Sequence, residues 1–515
     1  MVDTARSSRG IVVFGGGTAT NSLVDVFENL RESRNCTLQY IIPISDNGGS
    51  SSELIRVFGG PGIGDVRSRL VRLIPSSDTD AERASLKSLF NHRLSSDPYA
   101  ARSEWLDIVE GRHELWNGIS SEKRELIRSI FNHTNMEIVK RARPSSVFNF
   151  NKASIGNLFL TGARIFTGSL ESAIYLLSTI CDIPSTVATL PAINSNFTHH
   201  ISAGLEDGSQ ITGQNAISHP SAPTSLPDTG DTAAMIAETL SPPPISTSTP
   251  FSSSTSTGTA GPGITPTRPR SAVVAAVEED PQTVLRETEA HDRIEDATLP
   301  GSLPSLRKQY VNFSKAPSLC NELPSRISRI WYINPYGHEI YPVANPKVLA
   351  AIAQCRTVVY SIGSLYTSLV PSLVLRGVGH AIAASAPWVR QKIMILNATL
   401  DRETGPADQG LTATDFVKAI ARACARTTSV NVEVGEEEEP PVRKYVTHLL
   451  YLEGEGVPKV DKQELAALGV DCVRLYGRRG VDGMLRYDEA GLVGALEAIV
   501  GKAEAVRSRR NTSGQ

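Results

Sequence analysis

A run of large apolar residues that ends in glycines and turns straight into a helix strongly constrains topology, and this chain contains it twice. Residues 11–14, IVVF, run into Gly15-Gly16-Gly17-Thr18, and residues 20–33 follow with Leu23, Val26, Phe27 and Leu30 at helical spacing. Residues 357–360, TVVY, run into Ser361-Ile362-Gly363-Ser364, and a second helical pattern, SLVPSLVLRGVGHAI, follows. Around both, nearly continuous apolar strands (LQYIIPIS, TVATLPAI, ISRIWYINP, QKIMILNATL, YVTHLLYLE) alternate with helical stretches. Such strands are buried on both faces, which predicts a parallel sheet covered by helices. The expected fold class is α/β, a Rossmann-like, doubly wound, mostly parallel sheet. ISAGLEDGSQITGQ reads as a β-hairpin turning at Asp207-Gly208.

Two stretches interrupt the alternation. Residues 78–143 are charged and helical, and read as a helical insertion. Residues 221–325 are rich in Ser, Thr, Pro and Gly, as in SPPPISTSTPFSSSTSTGTAGPGITPTRPRS. They carry too little apolar surface to offset the entropy of ordering, which predicts a disordered insertion. Its Ser/Thr-Pro dipeptides are expected sites for kinases or protein partners, with a plain spacer as the other reading. Both flanks supply strands to one sheet, so 10–220 and 327–500 are expected to form a single discontinuous domain. Residues 501–515 are expected to fray.

Composition narrows the function classes. The 515 residues carry a formal net charge of −3, which argues against a generally basic nucleic-acid binder. No run of about 18 apolar residues exists, so no membrane span is expected. The N-terminal MVDTARSSRG lacks the apolar stretch of a secretory signal. The six cysteines, at 36, 181, 320, 355, 424 and 472, form no CxxC and no disulfide framework. A cytoplasmic protein is expected. His199, His200 and His448 lack partners at ligand spacing and read as structural. There is no GxSxG and no Walker lysine after Gly17.

Four loops carry chemistry. Gly15-Gly16-Gly17-Thr18 opens a helix whose N-terminal N–H groups suit a phosphate or diphosphate. Asp46-Asn47-Gly48-Gly49-Ser50 follows the second strand, where it reaches the same carboxyl-end crevice. A carboxylate there can hold a ribose hydroxyl or a divalent metal, and Asp46 or Ser50 can equally cap a helix. In Gly60–Arg67, Asp65 can start the next helix and Arg67 can fork a phosphate. Gly363, Ser364, Leu365, Tyr366 and Ser368 repeat the logic of the first loop. Asn397 ends a later strand, with Glu403-Thr404 on the loop beyond.

These loops together resemble the CofD/YvcK family, which contains 2-phospho-L-lactate transferase and the bacterial gluconeogenesis factors. The family's GGGTG stands here as GGGTA, with Ala19. Its DxGGSSG is matched by Asp46–Ser52, with Ser52 for the last glycine, and its LR by Leu54 and Arg56. Its PPGDIRN is matched around Gly64-Asp65-Val66-Arg67, and GNL is Gly156-Asn157-Leu158. GPGSLYTSxxP is matched by SIGSLYTSLVP, Ser361 to Pro371. N…GET is matched by Asn397 and Arg402-Glu403-Thr404, without the glycine. Asp415-Phe416 stands where the family often has Asp-His. The resemblance spans 10–220 and 327–500 in order.

SDNGGSS and GSLYTS look more like the gluconeogenesis-factor branch, and two functions follow from the resemblance. One is binding of a nucleotide or UDP-sugar-type ligand in a regulatory metabolic role. The other is a Mg2+-dependent transfer of a phospholactyl-type group from a nucleotide diphosphate to an alcohol acceptor. Either implies ligand contacts from Gly15, Gly16, Gly17, Thr18, Asp46, Asn47, Gly48, Gly49, Ser50, Asp65, Arg67, Asn157, Gly363, Ser364, Leu365, Tyr366, Ser368, Asn397, Glu403 and Thr404. Asp46, Asp65 and Arg67 are the catalytic candidates, and Asp46 and Asp65 the metal candidates. No tightly bound flavin or nicotinamide is expected. A homo-oligomer is compatible with the pattern.

Overall fold

Strands β1 (Ser8–Phe14), β2 (Cys36–Ile42) and β3 (Val187–Pro191) come from the chain before the Ser/Thr/Pro-rich stretch. Strands β8 (Thr357–Tyr360), β9 (Gln391–Ile395), β10 (His448–Tyr451) and β11 (Asp471–Arg474) come after it. In the computed structural model they form one seven-stranded sheet in the order β11-β10-β9-β8-β1-β2-β3, parallel at every pairing. The structure describes residues 8–45, 50–75, 81–142, 147–218, 322–334, 336–384, 391–406, 409–426, 439–480 and 483–511. The expected disordered insertion, 221–325, lies outside them as far as residue 321, while its last four residues are described and Leu323 among them is buried. Every residue of β8 and β9 is buried, as are Ile11 to Phe14. That two-sided burial is the reason for the continuous apolar strands.

The strand order reverses between β1 and β8. Chain progress runs outward through β2 and β3 on one side and through β9, β10 and β11 on the other. Such a switch point leaves a crevice beyond the carboxyl ends of the two central strands. Phe14 pairs in register with Tyr360, and their rings stack at 5.8 Å. The glycine loops after the two strands therefore start side by side.

ISRIWYINP is a strand, but it belongs to a second sheet. Strands β4 (His200–Leu205), β5 (Gln210–Thr212), β6 (Ile327–Ile333) and β7 (Glu339–Ile340) form an antiparallel sheet in the order β5-β4-β6-β7. The Asp207-Gly208 hairpin offers β6 an antiparallel partner, and apolar composition alone does not distinguish the two pairings. Gly208 takes φ +86°, and the Asp207 carboxylate accepts the Ser209 N–H at 2.8 Å.

The helical part of the first half comprises α1 (Gly17–Asn21), α2 (Val24–Arg34), α3 (Ser50–Phe58), α4 (Gly64–Arg72), α5 (Ala81–Asn91), α6 (Pro98–Glu110), α7 (Ser121–Arg141), α8 (Ile155–Thr167), α9 (Leu170–Ile180) and α10 (Gln214–Ser218). Helices α5 to α7 make the expected insertion. They close on α8 around Trp105, Trp116, Phe131 and Phe159, all within 1% of full burial. Both indoles donate inward, Trp105 to Asn135 Oδ1 at 3.0 Å and Trp116 to the Ile108 carbonyl at 2.9 Å. Helix α6 begins at Pro98 with Asp97 accepting the Ala100 N–H at 2.8 Å, and ends at Gly111 with φ +82°. This is the local signature of proline inside the start and glycine past the end.

The helix expected after Gly363 is broken. A π-helical turn at Leu365–Leu369 is followed by Val370–Leu373 and, after Gly377 at φ +95°, by Val378–Ala383. Pro371 lacks the N–H a continuous helix needs. The last helix runs Glu489–Asn511, past the point at 501 where fraying was expected. Leu492, Leu496, Ile499 and Val500 bury one face of it, and Arg34 donates to the Glu497 carbonyl at 3.0 Å. Among the described residues no helix is long and apolar enough to cross a membrane. The described cysteines, Cys36, Cys181, Cys355, Cys424 and Cys472, are all free thiols.

Candidate functional site

The end of β1 is crowded from three sides, and the crowding accounts for its glycines. The Gly15 N–H donates to the Ile41 carbonyl at 3.3 Å. A Cβ on Gly15 would stand 2.7 Å from Thr20 Oγ1. One on Gly16 would stand 2.5 Å from Asp65 Oδ2 and 3.0 Å from Pro43. Thr20 is fully buried, and its hydroxyl donates to the Ile362 carbonyl, tying the first glycine loop to the loop after β8. The Ser361 N–H donates to the Phe14 carbonyl at 3.0 Å. Gly17 and Thr18 start α1.

The loop after β8 closes over the same place. Gly363 has φ +150°, and a Cβ there would stand 3.2 Å from the Gly16 carbonyl oxygen. Asn397, beyond the end of β9, holds this glycine at both ends. Its Nδ2 donates to the Gly363 carbonyl at 2.8 Å, and the Gly363 N–H donates to its Oδ1 at 3.3 Å. The side chain thus stands in for a neighbouring strand where the sheet has ended.

Asp65 lies in the first turn of α4, and Arg67 follows on the same helix. Arg67 is 8% exposed, and its bonds go to amide oxygens: Nε to Asn157 Oδ1 at 3.2 Å and Nη1 to Asn91 Oδ1 at 3.4 Å. Burial, with Arg93 nearby, pulls the guanidinium pKa down to about 10 against the opposing pull of Asp65. Asn157 sits in the first turn of α8, which Ser154 caps, and its Nδ2 reaches Ser51 Oγ at 3.5 Å. The preceding Gly156 leaves room for Arg67, since a Cβ would stand 2.8 Å from Arg67 Cδ and 2.6 Å from the Phe90 carbonyl oxygen.

The remaining predicted residues divide into support and core. The buried Glu403 carboxylate accepts the Tyr366 and Thr367 N–H groups at 2.8 and 3.0 Å, and the Thr367 hydroxyl as well. These are the second and third N–H groups of the turn that resembled an anion-binding helix start, and the chain's own carboxylate takes them. Burial first, and Asp401 second, push the Glu403 carboxyl up to about 8. Leu365 and Tyr366 are buried anchors, with the Tyr366 hydroxyl donating to the Ile327 carbonyl at 2.9 Å. Ser364 holds the N-cap position of the turn without a side-chain capping bond, Ser368 lies within the turn, and the Thr404 hydroxyl donates to the Asp401 carbonyl. Asp46, Asn47, Gly48 and Gly49 lie outside the described residues, and Ser50 is described only as the start of α3.

Several residues around the crevice are not among the expected ligand contacts. Asn91 comes from the helical insertion and reaches Arg67 only through the tertiary fold. Arg164 donates to the Gly59 carbonyl at 2.9 Å and packs on Gly60, whose φ is +101°, while Thr198 donates to the Gly60 carbonyl at 2.7 Å. Ser45 donates to Gln214 of α10 at 3.4 Å. Ser361 Oγ is buried without a hydrogen-bond partner, one residue past β8. Among the described residues, the crevice holds no cluster of three His, Cys, Asp or Glu side chains close enough to share a metal ion. A cavity of about 120 Å³ opens elsewhere, between β6 and the helix Ala413–Arg426. Two arginines in its wall are already paired, Arg329 with Glu339 at 3.0 Å and Arg326 with Asp415 at 3.7 Å.

The model of a family described as 2-phospho-L-lactate transferase CofD matches residues 11–475. An uncharacterized protein of Saccharomyces cerevisiae is 36% identical over 462 residues, 90% of this chain and 94% of that protein. A gluconeogenesis factor of Halalkalibacterium halodurans is 27% identical over 209 residues, 41% of this chain and 45% of its own length. A crystal structure of a Bacillus halodurans protein aligns with a TM-score of 0.52 at 18% identity, covering 95% of this chain and 99% of that one. At such identity the likeness concerns the fold. The family match spans both halves of the seven-stranded sheet and every described loop of the crevice, and the chain belongs to the CofD/YvcK family.

Proposed function

We propose that the crevice at the β1/β8 switch point binds the diphosphate of a nucleotide or nucleotide-sugar, of the UDP-sugar type, in a regulatory metabolic role. The observation that carries the reading is Arg67. It is a buried guanidinium bonded to two amide oxygens, on the helix that brings Asp65 against Gly16. A buried charge is costly unless compensated, and a bound phosphate supplies the compensation. The packed glycines let ligand oxygens approach backbone N–H groups closely. Relatives named gluconeogenesis factor support the regulatory role.

Magnesium fits this reading as a companion of the ligand. Asp65 would give one carboxylate, and ligand phosphates and water the remaining oxygens, as this ion prefers. Calorimetry with UDP-sugars, nucleoside diphosphates and inorganic diphosphate, each with and without Mg2+, tests the proposal. Saturable binding that Arg67→Gln weakens supports it, and folded protein that binds none of them overturns it.

The family description supports a second reading, a transferase that moves a phospholactyl-type group from a nucleotide diphosphate to an alcohol. Asp65 and Arg67 would then hold the metal and the transferring phosphate, and catalysis would come from positioning and charge stabilisation. Release of nucleoside monophosphate that requires an alcohol acceptor favours this reading over the first.

A further inference from the structure

Away from the crevice, three side chains of the helical insertion converge on one point. His92 follows α5, Glu104 lies within α6, and His113 precedes the short turn Glu114–Trp116. His92 Nε2 stands 2.5 Å from Glu104 Oε1, and His113 Nε2 stands 3.7 Å from the same oxygen. The two imidazole rings are 5.8 Å apart. One donor atom from each residue lies within 4.8 Å of the others.

We propose that His92, Glu104 and His113 form a binding site for a divalent transition-metal ion, with zinc as the best chemical fit. A hydrogen bond to Glu104 accounts for only one of the two histidines. His92 is at bonding distance, whereas 3.7 Å is beyond the reach of a hydrogen bond, yet His113 is aimed at the same oxygen. Two imidazoles and one carboxylate form a borderline donor set that suits zinc, with water as fourth ligand. The three side chains are 18–27% exposed, so water reaches them. Glu104 is oriented from behind, because its Oε2 accepts the Ser95 N–H at 2.9 Å and leaves Oε1 for the ion.

Loading has a structural cost that can be observed. His113 Nδ1 accepts the Leu115 N–H at 3.2 Å, so in the metal-free protein the ring proton sits on Nε2. Coordination through Nε2 moves that proton to Nδ1 and deprives the Leu115 N–H of its acceptor. His92 Nε2 and Glu104 Oε1 must also separate by about 1 Å to share an ion at tetrahedral geometry. The ion would clamp the segment that carries Asn91, the partner of Arg67. The His92 carbonyl accepts the Ile155 N–H at 3.1 Å, next to the start of α8.

The test uses the full chain after chelator treatment, titrated with zinc chloride in a calorimeter and followed by thermal unfolding. The unmodified protein is expected to take up one ion that the double variant His92→Ala/His113→Ala does not, and to gain thermal stability that the variant lacks. Glu104→Gln is expected to weaken uptake at least tenfold, with helix content unchanged by circular dichroism. Amide exchange at Leu115 is expected to quicken on zinc addition. Equal zinc uptake by the unmodified protein and the double variant overturns the proposal, as does the absence of uptake by the unmodified protein.

Discussion

The carboxylate of Asp65 lies so close to Gly16 that one methyl group on that glycine would stand 2.5 Å from Oδ2. The contact joins the end of β1 to the first turn of α4, and it sets the distance between a glycine loop and an acid. Gly16→Ala is expected to fold with reduced stability, because the Asp65 carboxylate must swing away and the Pro43 ring, 3.0 Å from the new methyl, must also give. It should lower affinity for a diphosphate ligand at least tenfold, since Asp65 leaves its place. Calorimetry checks the affinity and thermal unfolding checks the fold. Unchanged affinity would remove Gly16 and Asp65 from the site.

Arg67→Met separates binding from stability. The replacement removes a buried charge but leaves the Asn157 and Asn91 amide oxygens without their donor, so the two effects oppose and the melting temperature is expected to change little. Diphosphate binding is expected to fall roughly 10- to 100-fold, the worth of a hydrogen bond to a charged group. A variant that binds as tightly as the parent would refute the assignment.

Glu403 makes stability depend on pH in a stated direction. Its folded pKa is raised from the ordinary 4.5 to about 8. The native state therefore holds a proton that the unfolded state releases, and the contribution is lost as pH rises from about 4.5 through about 8. Glu403→Gln keeps an oxygen for the Tyr366 and Thr367 N–H groups and cannot ionise. It should flatten the pH dependence of denaturant midpoints across that window. An identical pH profile in parent and variant would contradict the prediction.

Packing of α7 on α8 depends on Gly162, where a Cβ would stand 1.8 Å from Thr134 Oγ1. Gly162→Ala is expected to destabilise by about 1–3 kcal/mol, the usual cost of overpacking. Adding Thr134→Ala should recover part of it, because the colliding hydroxyl is gone. Diphosphate binding should stay unchanged in both, and urea midpoints report the stabilities.

Part of the crevice was legible because two of its loops follow their strands directly. Gly15, Gly16 and Gly363 need only sequence order and the rule that ligands gather at strand carboxyl ends to be brought together, whereas Asp65 follows helix α3 and reaches Gly16 through the placement of α4. Glu403 and Tyr366 show where that reasoning stops. Both belong to matched motifs, yet one caps a turn and the other anchors it. A motif records which residues a loop needs and leaves open which of them face a ligand.

By itself the sequence determined the strands, their parallel sheet and the glycine loops, since burial on both faces demands continuous apolar runs and close backbone approach demands glycine. Only the tertiary structure decided that β6 leaves the main sheet to pair with β4. It alone brought Asn91 to Arg67 across the helical insertion, and gathered His92, Glu104 and His113 around one oxygen. These contacts join residues that no local periodicity links, because they depend on how helices pack and on which strand finds a free edge.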